Sequence, residues 1–344
     1  MSSSSEPRKK SRLKRFLQNG ALFAGTFALC VVALEVTLRV AGYGNVEIYE
    51  PDPVLYWKLK PNQRCFTKID HKPVHINSHG TRGSEFSATK PANTIRIVSL
   101  GDSKTFGWGL SESETYSSLL EKWLQEQVGT RRKVEVVNAG VNAYSYPQMH
   151  AYFKTVALKY SPDIVVIGDA NLWTQFSENN SREFVDKFMM RVRLKNFLRR
   201  FAMYHYIVEV KLKAVYERQR TKFIPIDPKS DTLFKEQQAK DPDAFFRDSI
   251  EQMCRTALTN NVKPVLLYMP RLPALKASEE PNNEQRAKKL VSQTLNVPLV
   301  DVSPEIAPRA ETLYLEADPV HFNIAGNQII ARKLFETVST MVIP

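Results

Sequence analysis

Ile95-Arg96-Ile97-Val98-Ser99-Leu100, running straight into Gly101-Asp102-Ser103-Lys104-Thr105-Phe106-Gly107, is the stretch on which the reading of this chain turns. A short apolar run closed by glycine suits a strand buried on both faces. Four more such runs follow. Lys133 to Asn138 holds Val134, Val136 and Val137, and Asp163 to Gly168 holds Ile164-Val165-Val166-Ile167. Lys263 to Met269 holds Val265-Leu266-Leu267, and Val297 to Val302 is the fifth. Helical stretches are predicted between them at about 114–129, 146–160, 245–261 and 282–294, with a last one near 323–340. Alternating strands and helices imply a three-layer α/β/α domain on a parallel sheet. Sites in such domains form beyond the carboxyl ends of the strands.

The strand ends are polar. Gly101-Asp102-Ser103 follows the first strand and Asn138-Ala139-Gly140-Val141-Asn142 the second. Gly168-Asp169-Ala170-Asn171 follows the third, and Asp318-Pro319-Val320-His321-Phe322-Asn323 lies beyond the fifth, just before the last helix. A serine hydroxyl is a poor nucleophile unless a base takes its proton. Of the six histidines (His71, His75, His79, His150, His205 and His321), only His321 has a carboxylate three residues earlier at a strand-to-helix loop. Asp318 could bond the imidazole nitrogen remote from Ser103 and fix its tautomer. Each residue also has an ordinary reading: a helix cap for Ser103, a packed histidine for His321, a turn glycine for Gly140, a cap or turn for Asn171. Four elements in this order, each at a strand end, weigh toward chemistry.

These four blocks resemble those of the SGNH (GDSL-like) hydrolase superfamily, over about residues 93–344. The resemblance implies the SGNH hydrolase fold, Ser103 as nucleophile, Asp318 and His321 as the acid–base pair, and Gly140 and Asn171 as oxyanion-hole donors. Asn77 through Gly109, with its Gly80-Thr81-Arg82-Gly83 step, also looks like the membrane-anchored bacterial relatives. The third block departs from the family's Gly-x-Asn-Asp: Asp169 stands at the glycine position and Leu172 at the aspartate position. An extra carboxylate beside an oxyanion site would weaken anion stabilisation unless it points away.

The N-terminus directs where the domain sits. Residues 1–15 form a basic tail, with six Lys or Arg against Glu6, and part of the formal charge of +12 resides there. Residues 16–42 are mostly apolar and read as a single-pass transmembrane anchor, interrupted by Glu35 and Arg39, which can pair at four-residue spacing. A basic flank stays cytoplasmic, so the catalytic domain is expected on the periplasmic or extracytoplasmic side of the inner (cell) membrane. A cleaved signal peptide is the alternative, with Val40-Ala41-Gly42 as a cleavage-like site. Residues 43–92 read as a membrane-proximal linker packing on the main domain. Residues 177–244 read as a helical insertion, basic and aromatic from Met189 to Arg220: a lid, a membrane-surface contact, a partner surface, or a packed helix with a solvated face.

Zinc-finger spacing and RNA-binding aromatic signatures are missing, so no nucleic-acid partner is expected. Without CxxC, phosphate-loop or dinucleotide motifs, no metal or cofactor is expected. Cys65 and Cys254 are either a disulfide or two thiols. The expected activity is serine-dependent hydrolysis of a carboxylic or O-acetyl ester on a cell-envelope carbohydrate or lipid. Acyl transfer to an envelope polysaccharide uses the same residues, and a non-catalytic scaffold is the reading from a different class.

Overall fold

The computed structural model describes residues 12–46, 49–67, 72–170, 182–212, 241, 243–276, 282–316 and 318–342. Asn171, the basic tail before residue 12 and the insertion beyond residue 212 up to 240 lie outside the described residues.

A long helix, α1 (Arg12–Val40), leads into two small antiparallel hairpins, β1 (Tyr49–Asp52) with β2 (Tyr56–Leu59) and β3 (Gln63–Phe66) with β4 (Pro73–Ile76). The main domain then alternates: β5 (Thr94–Gly101), α2 (Ser103–Phe106), α3 (Tyr116–Val128), β6 (Lys133–Gly140), α4 (Tyr146–Thr155) and β7 (Ile164–Ile167). The insertion contributes α5 (Arg182–Leu198) and α6 (Ala202–Tyr204), which continues into a π-helical turn over His205–Lys211. After it come α7 (Ala244–Thr259), β8 (Lys263–Tyr268), α8 (Leu272–Lys276), α9 (Asn283–Leu295), β9 (Leu299–Asp301), α10 (Ser303–Ile306) and α11 (Ile324–Val342).

β5 to β9 form one parallel sheet in the order β6-β5-β7-β8-β9. That is the flavodoxin-like order, with a switch point between β5 and its two neighbours. The five predicted strands and the α3, α4, α7, α9 and α11 helices stand where periodicity placed them. Period-two alternation splits the buried residues into two cores. Val98, Leu100, Val137, Ala139, Val165 and Ile167 face the layer of α4, α7 and α9. Ile95, Ile97, Val134, Val136, Ile164 and Val166 face α3 and α11. Strands covered on both sides are mostly apolar on both faces, which is why they read as apolar runs with few polar interruptions.

The 43–92 segment is more than a spacer. Leu55, Trp57, Leu59, Val74 and Ile76 are buried in the first of these cores. Trp57 donates its indole N–H to the Asn142 carbonyl at 3.2 Å, and the Tyr144 hydroxyl donates back to the Trp57 carbonyl at 2.6 Å. The segment thus braces the loop that follows β6 at the switch point. Cys65 and Cys254 are separate buried thiols, and burial pushes the Cys254 thiol up to about 12, which leaves it protonated and inert.

Candidate active site

The site is built where β5 gives way to α2. Asp102 has extended dihedrals and caps α2, its carboxylate accepting the Lys104 N–H at 2.9 Å. The helix stops after one turn at Gly107, whose φ of 86° a side chain would strain. A helix this short leaves its carbonyls without internal partners, and groups from elsewhere supply them. Arg82 donates from Nη1 to the Phe106 and Gly107 carbonyls, both at 2.7 Å, while its guanidinium lies 4.7 Å from the Phe106 ring centroid. Asn138 Nδ2 donates to the Thr105 carbonyl at 2.9 Å. The turn bearing Ser103 is therefore clamped from the preceding segment and from the neighbouring strand.

Ser103 is 8% exposed, and its Oγ lies 2.7 Å from His321 Nε2. His321 Nδ1 lies 2.7 Å from Asp318 Oδ2. Asp318 Oδ1 accepts the backbone N–H of Val320 at 2.9 Å and of His321 at 3.2 Å, which closes the loop around its carboxylate. Burial pushes the Asp318 carboxyl up, but the hydrogen bond and charge of His321 and the two backbone N–H groups outweigh it and hold the carboxyl below its ordinary value. Asp318 is thereby kept ionised as the orienting partner of the imidazole. Trp108 stacks on His321, with ring centroids 5.7 Å apart and planes at 28°. Ser103 and the Asp318–His321 pair, more than two hundred residues apart in the chain, are brought into one hydrogen-bonded line.

Gly140, the expected oxyanion donor, also has a packing role. Its N–H donates to Asn138 Oδ1 at 3.0 Å, so the hydrogen is directed at that side chain. A Cβ at this position would overlap the backbone of Thr105 and Phe106. Glycine is needed there so that β6 can lie against α2. The backbone N–H of Ser103, by contrast, makes no hydrogen bond to a described residue.

Asp169 is not a bare carboxylate. Its carboxylate is fully buried and pairs with the ammonium groups of Lys104 and Lys288, and also accepts the Met269 N–H at 2.9 Å. Each lysine also donates to a carbonyl just past or at the end of β8: Lys104 to Met269 at 2.8 Å and Lys288 to Leu267 at 2.6 Å. Glu284, one helical turn before Lys288, accepts the Tyr146 hydroxyl at 2.6 Å and the Ala170 N–H at 3.3 Å. Burial would raise the Asp169 carboxyl, but the two lysines dominate and lower it. Burial and the charge of Asp169 push Glu284 up. The carboxylate that breaks the family pattern is thus neutralised, and it ties the ends of β7 and β8 to the turn bearing Ser103.

Lys288 and Glu284 carried no motif in the sequence. Arg82 and Trp108 stood in the Asn77–Gly109 stretch and Asn138 opened the second block, but none of the three had a role of its own there. Among the described residues no group of three His, Cys, Asp or Glu side chains is placed to hold a metal ion.

The GDSL-like Lipase/Acylhydrolase family model matches residues 99–329, two thirds of the chain. This chain belongs to that family. Family members act on esters, so ester hydrolysis is the general reaction class. No curated protein matches the sequence. Solved structures to which the chain is similar include TesA, at 14% identity, covering 72% of this chain and 99% of that one with a TM-score of 0.45. A lipase/acylhydrolase from Enterococcus faecalis is 16% identical, covering 72% and 96%, with a TM-score of 0.44. An acetyl xylan esterase, AlAXEase, is 15% identical, covering 71% and 100%, with a TM-score of 0.45.

Proposed function

We propose that the chain is a membrane-anchored serine esterase acting on acyl esters of cell-envelope carbohydrate or lipid. The observation that carries this reading is the unbroken line Ser103 Oγ–His321 Nε2–Asp318, with both bonds at 2.7 Å. His321 Nε2 takes the Ser103 proton as Oγ bonds to the ester carbonyl carbon, and Asp318 balances the imidazolium. The oxyanion takes the Ser103 N–H, and Asn171 is proposed as a second donor. Collapse breaks the bond to the leaving alkoxide, which receives the proton from His321. Water then repeats the sequence on the acyl-Ser103, releasing the acid and restoring the serine.

The membrane part rests on α1. Its Lys14–Val40 portion is long and apolar enough to cross a bilayer, and almost none of it is buried in the protein. An uncleaved anchor is favoured over a cleaved signal because its last turns are bonded to the folded domain. Glu35 accepts the N–H groups of Ala202 and Met203 at 2.9 and 3.0 Å, and Leu38 is buried.

Hydrolysis of a short-chain p-nitrophenyl ester by the purified full chain, beside Ser103→Ala, tests the chemistry. The variant is expected to lose at least about 10³-fold in kcat, the scale on which removing a triad member acts. Equal rates in the two proteins would remove Ser103 as nucleophile.

A further inference from the structure

The described part of the insertion ends in a surface with no place in the chemistry above. Among the described residues outside α1, ten large apolar side chains are exposed, and six of them fall between residues 190 and 212: Met190, Leu194, Phe197, Phe201, Ile207 and Leu212. The first three, on α5, recur at spacings of four and three, one narrow stripe on a helix, and Phe201, in the turn before α6, sets its ring edge-on to Phe197 at 5.6 Å. The opposite side of α5 is the one that packs inward, through Phe184 and Phe188 against the Trp57 region, with Phe188 5.2 Å from Trp57. Arg191, Arg193 and Arg200 flank the exposed stripe and are themselves exposed. The acidic residues of α5, Glu183 and Asp186, lie at its other end.

The level of this stripe is fixed by α1. Glu35 caps the start of α6, as above, and Arg39, which pairs with Glu35 through Nε at 2.8 Å, also reaches the Arg200 carbonyl. Just past the helix, the Gly44 N–H donates to His205 Nδ1 at 3.0 Å, and Tyr43 meets Tyr206 edge-on at 4.9 Å. A Cβ on Gly44 would press on the Ala202 backbone at 2.9 Å, so the chain leaving α1 lies directly against α6. Glu35 and Arg39 are the first charges after the apolar run, the place where a spanning helix reaches the headgroup level. The turn between α5 and α6 is held at that same level.

We propose that α5 and α6 seat the catalytic domain on the membrane: the Met190–Leu194–Phe197 stripe, with Phe201 beside it, dips into the lipid interface, and Arg191, Arg193 and Arg200 meet anionic headgroups. An amphipathic helix with arginines flanking an apolar stripe lies in the interface plane with that face buried ~5–10 Å into the headgroup–acyl boundary. The domain is then fixed in height and orientation by two contacts, one spanning and one interfacial, where a single helix would leave it free to swing. This inference rests on the anchor reading of α1.

Nitroxide labels on the full chain in nanodiscs of mixed anionic and zwitterionic lipid separate the two. Single cysteines replace Leu194, Phe197 or, as a control remote from α1 in sequence, Leu290, all exposed, in a Cys30→Ser background; native Cys30 on α1 is labelled in a parallel sample. At 194 and 197 the ratio of oxygen to nickel-chelate collision rates is expected to exceed that at 290 by at least about threefold, as for a side chain in the acyl boundary. In wholly zwitterionic discs, or with Arg191→Gln and Arg193→Gln together, that ratio is expected to fall toward the control. A lipid-like Cys30 with water-like labels at 194 and 197 overturns the seating and leaves the anchor intact. A water-like Cys30 overturns the anchor and the seating with it. Labels at 194 and 197 shielded from both reagents and broadened by spin–spin contact would assign the stripe to a second copy of the chain, and overturn the lipid contact.

Discussion

The sheet carries a buried charge cluster at each end, and the two have different consequences. At the amino end, Arg96 and Glu135 are register neighbours on β5 and β6, paired at 2.7 Å with exposures of 0% and 7%. Arg96 also donates to the carbonyls of Ser87 and Tyr160 at 2.7 and 2.6 Å, closing the bottom of the domain. At the carboxyl end, Asp169 holds Lys104 and Lys288, with Glu284 behind them. The physics is the same in both: charges taken out of water must be paired, and removing one partner strands the other. What differs is the neighbour. Lys104 follows the nucleophile in the chain, so strain at the carboxyl end reaches Ser103, whereas strain at the amino end stays in the scaffold. One cluster serves stability, the other stability and geometry.

The largest effect is expected from Asp169→Ala. It leaves two buried ammonium groups without their carboxylate, a loss of about 5 kcal/mol, the upper end for a broken buried pair. The folded fraction should also lose about 10²-fold in kcat, because a displacement of the nucleophile turn by an ångström costs that much. Denaturant unfolding with single-turnover assays at matched folded protein would show both losses. Unchanged kcat would break the link between this cluster and Ser103.

Arg96→Ala comes next, at about 3 kcal/mol, because Glu135 keeps Lys133 as a second partner at 2.8 Å. The kcat of the folded fraction should not move. A fall in kcat comparable to that of Asp169→Ala would erase the distinction between the two ends.

The smallest effect is in the pH dependence of stability. Burial would raise Glu135, but Lys133 and Arg96 outweigh it and hold it below its ordinary value. The amino-end cluster thus contributes fully above the unfolded carboxylate value of about 4.3, and its contribution fades as pH falls through the lower folded value. Glu284 is raised, so its share has the opposite sign: it is present in acid and is lost as pH rises from the unfolded value through the folded one. Glu284→Gln should therefore remove a decline in stability on going from acid toward neutral pH, measured as unfolding midpoints across that range. A variant whose stability curve keeps the wild-type slope there would show that Glu284 is not the group responsible.

The contrast also marks what could be read in advance. Arg96 sits mid-strand in an apolar run, and Asp169 at a strand end in a recognisable block, yet neither partner is near in sequence: Glu135 is 39 residues from Arg96, and Lys288 is 119 from Asp169. Read alone, Asp169 looked like a threat to the oxyanion site. Its effect depends on two lysines brought in by α2 and α9. Gly140 taught the reverse lesson. Its place in the second block suggested a donor, whereas its missing side chain serves the approach of α2 to β6, a contact between elements that no local pattern records.

The order of strands and helices, the apolar N-terminal helix, and Ser103, Asp318 and His321 as candidates were determined by the sequence itself. Hydrophobic periodicity and short motifs at strand ends are local properties, set by residues within a turn or a strand of one another. Tertiary structure alone decided the rest: the 2.7 Å line through the triad, the clamp of Arg82 on the nucleophile turn, the neutralisation of Asp169, and the docking of α6 against the end of α1. Each of these depends on a hydrogen bond or ion pair between residues distant in the chain. Such contacts are fixed by how layers pack, and a linear pattern carries no measure of that distance.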